Sequence, residues 1–385
     1  MKFENSKYSK IWDSSEGRAI VTAILNDPEL IRANHTFWQT KFRVDPQTTP
    51  TNAEGEAIFK SKMRPIQTGV LMDMRAPLGD STPMEVGGIA AYTGSIPDFI
   101  AKGFVEKATE RYYKEKMFDQ FADLKNVAMY ATDVLQMQLD SANQTLSHMS
   151  AYLLSNGHLK YLQGEGIQDG LYKAPIPAEN FDTAGAKVWT ANDCQLLSQM
   201  VAKEEKYKDA WGVELPMQWE ITREQFVNVF MKNAQVIEWS KHNYELRNGV
   251  ALNTTLALTE DIVLADIAKF PGLSPIVLAE EKQKDLNNGT VRGWKSGVAV
   301  LRPRGYAGLI RHTKPHDEEM FKKFGNNVNS YNFSSALGGI ATIMNSTIVN
   351  GNFKEWHTDL WMSAIPTLDE FLYHVIIDTT TADKA

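Results

Sequence analysis

A chain of 385 residues with 43% hydrophobic and 23% charged side chains can bury a substantial core and divides most naturally into two or three regions. Its formal net charge of −7 offers no global basic field for nucleic acid. The single cysteine, Cys194, excludes an intramolecular disulfide framework and any multi-cysteine metal site. The opening MKFENSKYSK lacks the apolar core of a signal peptide. No apolar run approaches the ~20 residues needed to cross a bilayer, so the expectation is a soluble, cytoplasmic protein.

From Met1 to about Thr40 short apolar clusters alternate with charge, suggesting short helices around Ile20–Leu25 and up to Trp38, in an arm that packs on something else. From Lys41 to Pro97 the chain is rich in turn and β formers, and Pro46, Pro50, Pro65, Pro77, Pro83 and Pro97 forbid long helices. Arg64–Met74 and Met84–Tyr92 read as the two strands of a long hairpin, which needs support from a neighbour because isolated hairpins are marginal in water. Pro97-Asp98 has the character of a helix start, predicting a helix to about Lys116.

Between Gly103 and Gly157 there is neither glycine nor proline. Phe118, Phe121, Leu124, Ala128, Ala131, Leu135, Leu139, Ala142, Leu146, Met149 and Leu153 recur at three- and four-residue steps, the signature of one helical stripe. Over Phe118–Asn156 this helix would span roughly 55–60 Å, and Gly157 would stop it in the left-handed conformation. Gly164–Gly185 reads as irregular. An amphipathic helix through Leu196, Leu197, Met200 and Val201 follows, with Thr190 or Asn192 as its cap. Leu215–Trp219 reads as a strand, and Thr222–Gln225 as a capping box whose helix continues to Ile237. A helix over Thr259–Lys269, strands over Pro275–Glu280 and Val298–Leu301, its continuation at Tyr306–Arg311, and a β run at Phe371–Ile377 with a frayed tail from Asp378 complete the chain. Without regular βαβ alternation the fold class is α+β.

Chemistry-bearing patterns are sparse. His312 and His316, four apart and followed by Asp317, Glu318 and Glu319, are the one metal-like spacing, and Pro315 interrupts any helix between them. A solvated loop is the better reading there. His357, Thr358 and Asp359 are adjacent in sequence without support for a triad, and Cys194 falls inside the predicted amphipathic helix as a packed thiol. No phosphate-binding or nucleophile-elbow motif occurs. Trp189, Trp211, Trp219, Trp239, Trp294, Trp356 and Trp361 are dispersed and suit core and interface positions. No catalytic, cofactor-binding or metal residue is assigned.

Several separated pieces, taken in order, carry a resemblance. MRAPLGDSTPMEVGG followed by SIPDF and a long helix resembles an extended loop leading into a spine helix. KVWTANDCQLLSQMVAKEEKYKDAWG, then MQWEITREQFVNVFMKNAQV, is similar to a Trp-led helix against a central sheet and the strand and helix after it. SPIVLAEEKQKDLNNGTVRGWKSGVAVLRPRGYAGLIRH and the closing SAIPTLDEFLYHVIID complete the series. In this order they resemble the lambda-type major capsid proteins of tailed bacteriophages (the major capsid protein E family), with the Hong Kong 97-like fold. The likeness covers most of the chain after about residue 60.

The resemblance implies an N-terminal arm (1–40), an extended β-hairpin loop (41–97), a peripheral domain with the spine helix (98–184 and 345–385) and an axial domain (185–344). It implies a non-enzymatic shell protein that assembles with itself into hexameric and pentameric capsomers, forming an icosahedral head around double-stranded phage DNA. Its place would be the virion, after assembly in the host bacterial cytoplasm. Portal, scaffold, protease or decoration proteins would be partners, with no membrane and no cofactor. Lys2, Lys7, Lys10 and Arg18 on the arm are the residues expected to meet packaged DNA. The alternatives are an encapsulin-like nanocompartment shell enclosing a cargo enzyme, and a metal-dependent hydrolase built on His312–Glu319.

Overall fold

The computed structural model of the chain describes residues 19, 37–52, 57–63, 90–103, 124–163, 166–212, 214–249, 258–284, 289–313, 329–331, 341–350 and 353–383. A short helix α1 (Phe37–Lys41) runs directly into β1 (Phe42–Val44). Strands β2 (Ile58–Met63) and β3 (Ala90–Ser95) pair antiparallel, and β4 (Asp98–Gly103) follows. Helix α2 (Leu124–Asn156) is 33 residues long, about 50 Å at 1.5 Å per residue. It ends at Gly157, whose φ of 73° suits glycine, and leads into the hairpin β5 (His158–Gln163) and β6 (Gly166–Lys173). Strand β7 (Phe181–Thr183), helix α3 (Leu196–Trp211), strand β8 (Met217–Thr222) and helices α4 (Arg223–Asn228), α5 (Ala234–Asn248) and α6 (Glu260–Ile267) come next. The remaining strands are β9 (Ile276–Ala279), β10 (Gln283–Lys284), β11 (Thr290–Val291), β12 (Val298–Pro303), β13 (Gly308–Thr313), β14 (Asn329–Tyr331), β15 (Ala341–Asn350), β16 (Phe353–Leu368) and β17 (Val375–Asp378). The mixture of helix and strand is α+β.

Two sheets carry the architecture. The central one has the order β7-β17-β12-β8-β9. Its strands are apolar on both faces because both faces are covered. Val298, Val300 and Ile376 join the core on the α2 side, while Ala299, Leu301, Val375 and Ile377 join a second core with Trp189, Trp219, Phe226 and Phe230. The second sheet is organised by the 16-residue β16. Trp361 pairs with both Thr342 on β15 and Ile100 on β4, and Ser363 with both Thr313 on β13 and Asp98 on β4. Thus β15 and β13 follow one another along one edge of β16, and β4 occupies the other. β1 extends this sheet through a parallel pairing with β13, Phe42 opposite Gly308.

The chain crosses between these sheets at Arg304–Ala307, from β12 to β13, and at Asp369–His374, from β16 to β17. The two crossings touch: the Asp369 amide donates to the Ala307 carbonyl at 3.1 Å.

The spine carries the expected stripe in its described side chains: Leu139, Ala142, Leu146, Met149 and Leu153 are buried. From Leu146 onward burial spreads around the helix, taking in Ser147, Ser150, Ala151, Leu154 and Ser155. The serines and Ala151 among them let neighbouring chain approach closely, as Lys295 does at Ser155. The expected start at Phe118 lies outside the described residues, as do the Arg64–Met74 strand, most of the Met84–Tyr92 strand and the Ile20–Leu25 helix.

Several local expectations are corrected. Asp98 does not open a helix. Residues 98–103 are a strand on β16, and the Asp98 carboxylate accepts from the Ser363 hydroxyl, so a long pairing partner outweighs a local cap signal. Neither Thr190 nor Asn192 caps α3. It starts at Leu196, and its first amides, Leu197 N and Ser198 N, are met by the Gln235 side chain from α5; Cys194 therefore sits in the preceding turn. The helix from Thr222 to Ile237 breaks at Val229, and Asn233 caps a new one by accepting from Val236 N. Thr222 caps α4 as expected, yet Gln225 reaches Thr379 instead of closing the box. β6 lies inside the stretch read as irregular. β13 is a strand of the other sheet and not a continuation of β12. Phe371–Tyr373 is a 3-10 turn, so the final strand is only Val375–Asp378. The tail is tied down: Ala184 N donates to Thr381 O, Trp189 N to Thr379 O and Asp383 N to Gly185 O. A domain boundary at 344/345 would cut β15, which pairs with β16 along its whole length, and residues 41–44 belong to α1 and a sheet, outside the hairpin loop.

Candidate functional site

Glu220 sits in MQWEIT at a position where a half-exposed strand would turn a charge to water. Because the central sheet is covered on both faces, its side chain is fully buried. A buried charge must be paired, and Glu220 Oε1 accepts from Arg302 Nη2 (2.6 Å), Gln218 Nε2 (2.6 Å), Lys41 Nζ (2.8 Å) and Arg302 Nε (2.9 Å). Burial alone pushes the carboxyl up, but the Arg302 and Lys41 charges override it and hold the group down at about 2. Arg302 spends its remaining Nη1 on the carbonyls of Pro303 and Gly305. Three chain regions thus meet on one oxygen: the N-terminal segment through Lys41, and β8 and β12 of the central sheet.

The same N-terminal segment reaches the spine and the second sheet. Trp38 Nε1 donates to Asn143 Oδ1 at 2.9 Å, and Phe37, Trp38 and Phe42 are buried in the spine-side core. The Arg311 guanidinium contacts Asp45, His312 Nε2 lies 2.9 Å from the Asp45 carbonyl oxygen, and Thr49 N donates to His312 O at 2.8 Å. The root of the hairpin is equally fixed. Phe59 is buried at 5.8 Å from Tyr172 in an edge-to-face pair, and a Cβ at Gly94 would lie 2.6 Å from the Phe59 ring. At β2 and β3 support comes from β6 of the same chain.

At the C-terminal end of the spine, His374 is buried and its Nε2 lies 2.8 Å from the Leu154 carbonyl. Burial drives its pKa down to about 4, with the Arg302 charge adding to the effect, so the ring is neutral and Nε2–H donates to Leu154. Further along, the buried Glu281 carboxylate accepts from the amides of Gly293 (2.8 and 2.9 Å) and Trp294 (3.3 Å), with His148 of the spine 3.7 Å away. Lys295 N donates to Ser155 Oγ at 2.9 Å. A Cβ at Gly293 would overlap the His148 carbonyl oxygen, a backbone atom with no freedom to yield. Gly293→Ala is therefore expected to cost about 1–3 kcal/mol and to lift this loop from the spine, read as faster proteolytic cleavage near residues 289–295. An unchanged cleavage rate would show that the close approach is unimportant.

The residues singled out for chemistry are not brought together. His312 is on β13, held by the Asp45 carbonyl, while His316, Asp317, Glu318 and Glu319 lie outside the described residues. Among the described residues no group of three or more His, Cys, Asp or Glu side chains could hold a metal ion. His357, Thr358 and Asp359 are consecutive positions of β16. Cys194 is buried, and burial raises its thiol pKa, with the Asp193 charge adding to it. Trp189, Trp219 and Trp294 are core residues, Trp189 lying 6.0 Å from Trp219. Among the described residues no helix is long and apolar enough to cross a membrane. Lys41, Glu220 and Arg302 were not marked by the sequence, since 179 positions separate Lys41 from Glu220.

No protein-family model and no curated protein matches the chain. Solved structures do. A crystal structure described as the capsid protein of a prophage of E. coli CFT073 superposes with a TM-score of 0.51 at 12% identity, over 94% of this chain and 97% of that one. A phage-related protein of Bordetella bronchiseptica RB50 gives the same TM-score, identity and coverage. This chain has the Hong Kong 97-like capsid fold. The long helix of the fold is α2, and the buried Lys41–Glu220–Arg302 cluster fastens the N-terminal segment where the two sheets meet.

Proposed function

We propose that this chain is the structural major capsid protein of a tailed bacteriophage, a shell subunit and not an enzyme. The observation that carries the reading is the superposition over nearly its whole length on a fold solved as a prophage capsid protein. The burial of Phe37, Trp38 and Phe42 and the packing of Phe59 on Tyr172 support it, because they tie the N-terminal segment and the β2–β3 pair to the body of the subunit. Copies assemble into hexamers and pentamers of an icosahedral head, as heterologous interfaces allow when the rotation closes, and the head encloses double-stranded DNA in the virion. The arm is 1–40 and the extended loop lies within 41–97. The peripheral domain takes 98–184 and 345–385 together with the rest of β15, and the remainder of 185–344 is axial. Portal, scaffold, protease or decoration proteins are the further partners of such a shell, and assembly takes place in the host cytoplasm.

Electron microscopy of the overexpressed protein tests this. Closed shells or ring-shaped capsomers are expected, and native particles should contain nucleic acid. A protein that stays a sharply sedimenting monomer under all salt and scaffold conditions overturns the reading, and shells filled with a defined cargo protein make it a nanocompartment instead.

A further inference from the structure

Four arginines lie where the N-terminal segment meets β12 and β13, and they divide into two kinds. Arg302 and Arg311 are neutralised by Glu220 and by Asp45 with Asp369. Arg43 and Arg304 are exposed and have no carboxylate partner among the described residues. The Arg43 guanidinium lies 4.2 Å from the centroid of the Tyr306 ring, which is itself 41% exposed. Arg304 is anchored through its Nε to the Met217 carbonyl at 3.0 Å, and its backbone amide donates to Pro216 O at 2.8 Å. One cation is flattened on an aromatic face and the other is tethered by one nitrogen, so both present their remaining N–H groups with little side-chain freedom left to lose.

We propose that Arg43, Arg304 and Tyr306 form a docking surface for carboxylates on a second copy of this chain. A planar guanidinium held in place fits a planar two-oxygen acceptor, carboxylate or phosphate. The balance of charge selects the carboxylate. The chain carries 47 acidic against 40 basic residues, and exposed Glu205, Asp209, Glu238, Glu245 and Asp261 make no ion pair among the described residues. Two cations on an acidic protein are a poor match for a phosphate backbone, which is gripped by many. The setting is rigid: Tyr306 lies on the Arg304–Ala307 crossing, and Ala307 N donates to Lys41 O at 2.7 Å. The proposal rests on the self-assembling shell reading and names one of its contacts.

The test compares the full chain with R43E/R304E and with R43K/R304K, following association by light scattering and sedimentation at low and high salt, and co-purified nucleic acid by absorbance. Thermal unfolding of each variant serves as the folding control. Reversal is expected to raise the concentration needed for association at low salt by about tenfold or more, with the lysine variant between it and the parent, and high salt should narrow the difference. Equal association of the reversed variant and the parent overturns the docking surface while leaving the shell reading intact. Unchanged association with loss of bound nucleic acid overturns it in favour of a phosphate partner. A parent chain that never associates overturns both. If R43E/R304E fails to fold, Y306A with R43Q decides the matter by the same measurements.

Discussion

Exchanging Arg302 for Met is expected to cost about 3–5 kcal/mol of folding stability, because Glu220 stays buried with Lys41 as its only charged partner. Lys41→Met should cost less, since two Arg302 nitrogens still hold the carboxylate, at 2.6 and 2.9 Å. The informative variant removes the whole cluster: Lys41→Met, Glu220→Leu and Arg302→Met together should destabilise less than the sum of the single changes, as no uncompensated charge is left inside. Urea unfolding of the parent, the three single variants and the triple variant measures this. Strict additivity would mean that the three side chains do not act as a unit, and an Arg302→Met cost below about 1 kcal/mol would place Glu220 in far wetter surroundings than its burial implies.

Acidification is expected to weaken the protein in two separate steps. His374 has a folded pKa of about 4 against an ordinary value of 6.5, so the unfolded chain takes up its proton first. Stability is therefore level above about pH 6.5, falls as the pH drops from 6.5 to 4, and has lost about 3 kcal/mol from this group at the bottom of that window. Glu220, at about 2 folded against 4.5, and Asp182, at about 2 against 3.8, act in the lower one. Burial pushes both carboxyls up, and the neighbouring cations outweigh it: Arg302 and Lys41 at Glu220, Lys206 and Lys203 at Asp182. Each contributes stability that is complete above its ordinary value and disappears as pH falls towards 2. His374→Gln keeps a donor for Leu154 and has no proton to gain, so it should abolish the upper step and spare the lower. Unfolding midpoints at half-unit intervals from pH 7 to 3 separate the two. A His374→Gln profile identical to the parent between pH 6.5 and 4 would contradict the assignment.

What could be read from the sequence follows the range of the interactions concerned. The spine was legible because eleven apolar residues repeat along one chain segment and Gly157 ends it. β12 was legible because Val298–Leu301 is an unbroken apolar run, and Thr222 because a cap bonds only three residues ahead. Where a distant partner decides, local signals misled. Asp98 looks like a helix start until β16, some 260 residues later, claims the strand. Thr190 and Asn192 look like caps until Gln235 arrives from another helix. The cluster on Glu220 was invisible for the same reason, since its members come from positions 41, 218, 220 and 302 and none is unusual alone.

The two adjoining crossings between the sheets have a mechanical meaning. They join two sheets that also share one core: Val298, Val300 and Ile376 of the central sheet pack in the same cluster as Ile310, Leu360 and Ile365 of the second. Sliding one past the other would have to break the bond between Asp369 N and Ala307 O. Gly305, at φ 109° with open space where a side chain would stand, lies in the first crossing. Because Arg302 grips the carbonyls of Pro303 and Gly305, the buried charge cluster is seated on the first crossing itself. Turning one sheet against the other would open that shared core and part Lys41, which runs into β1 of the second sheet, from Glu220 of the central one.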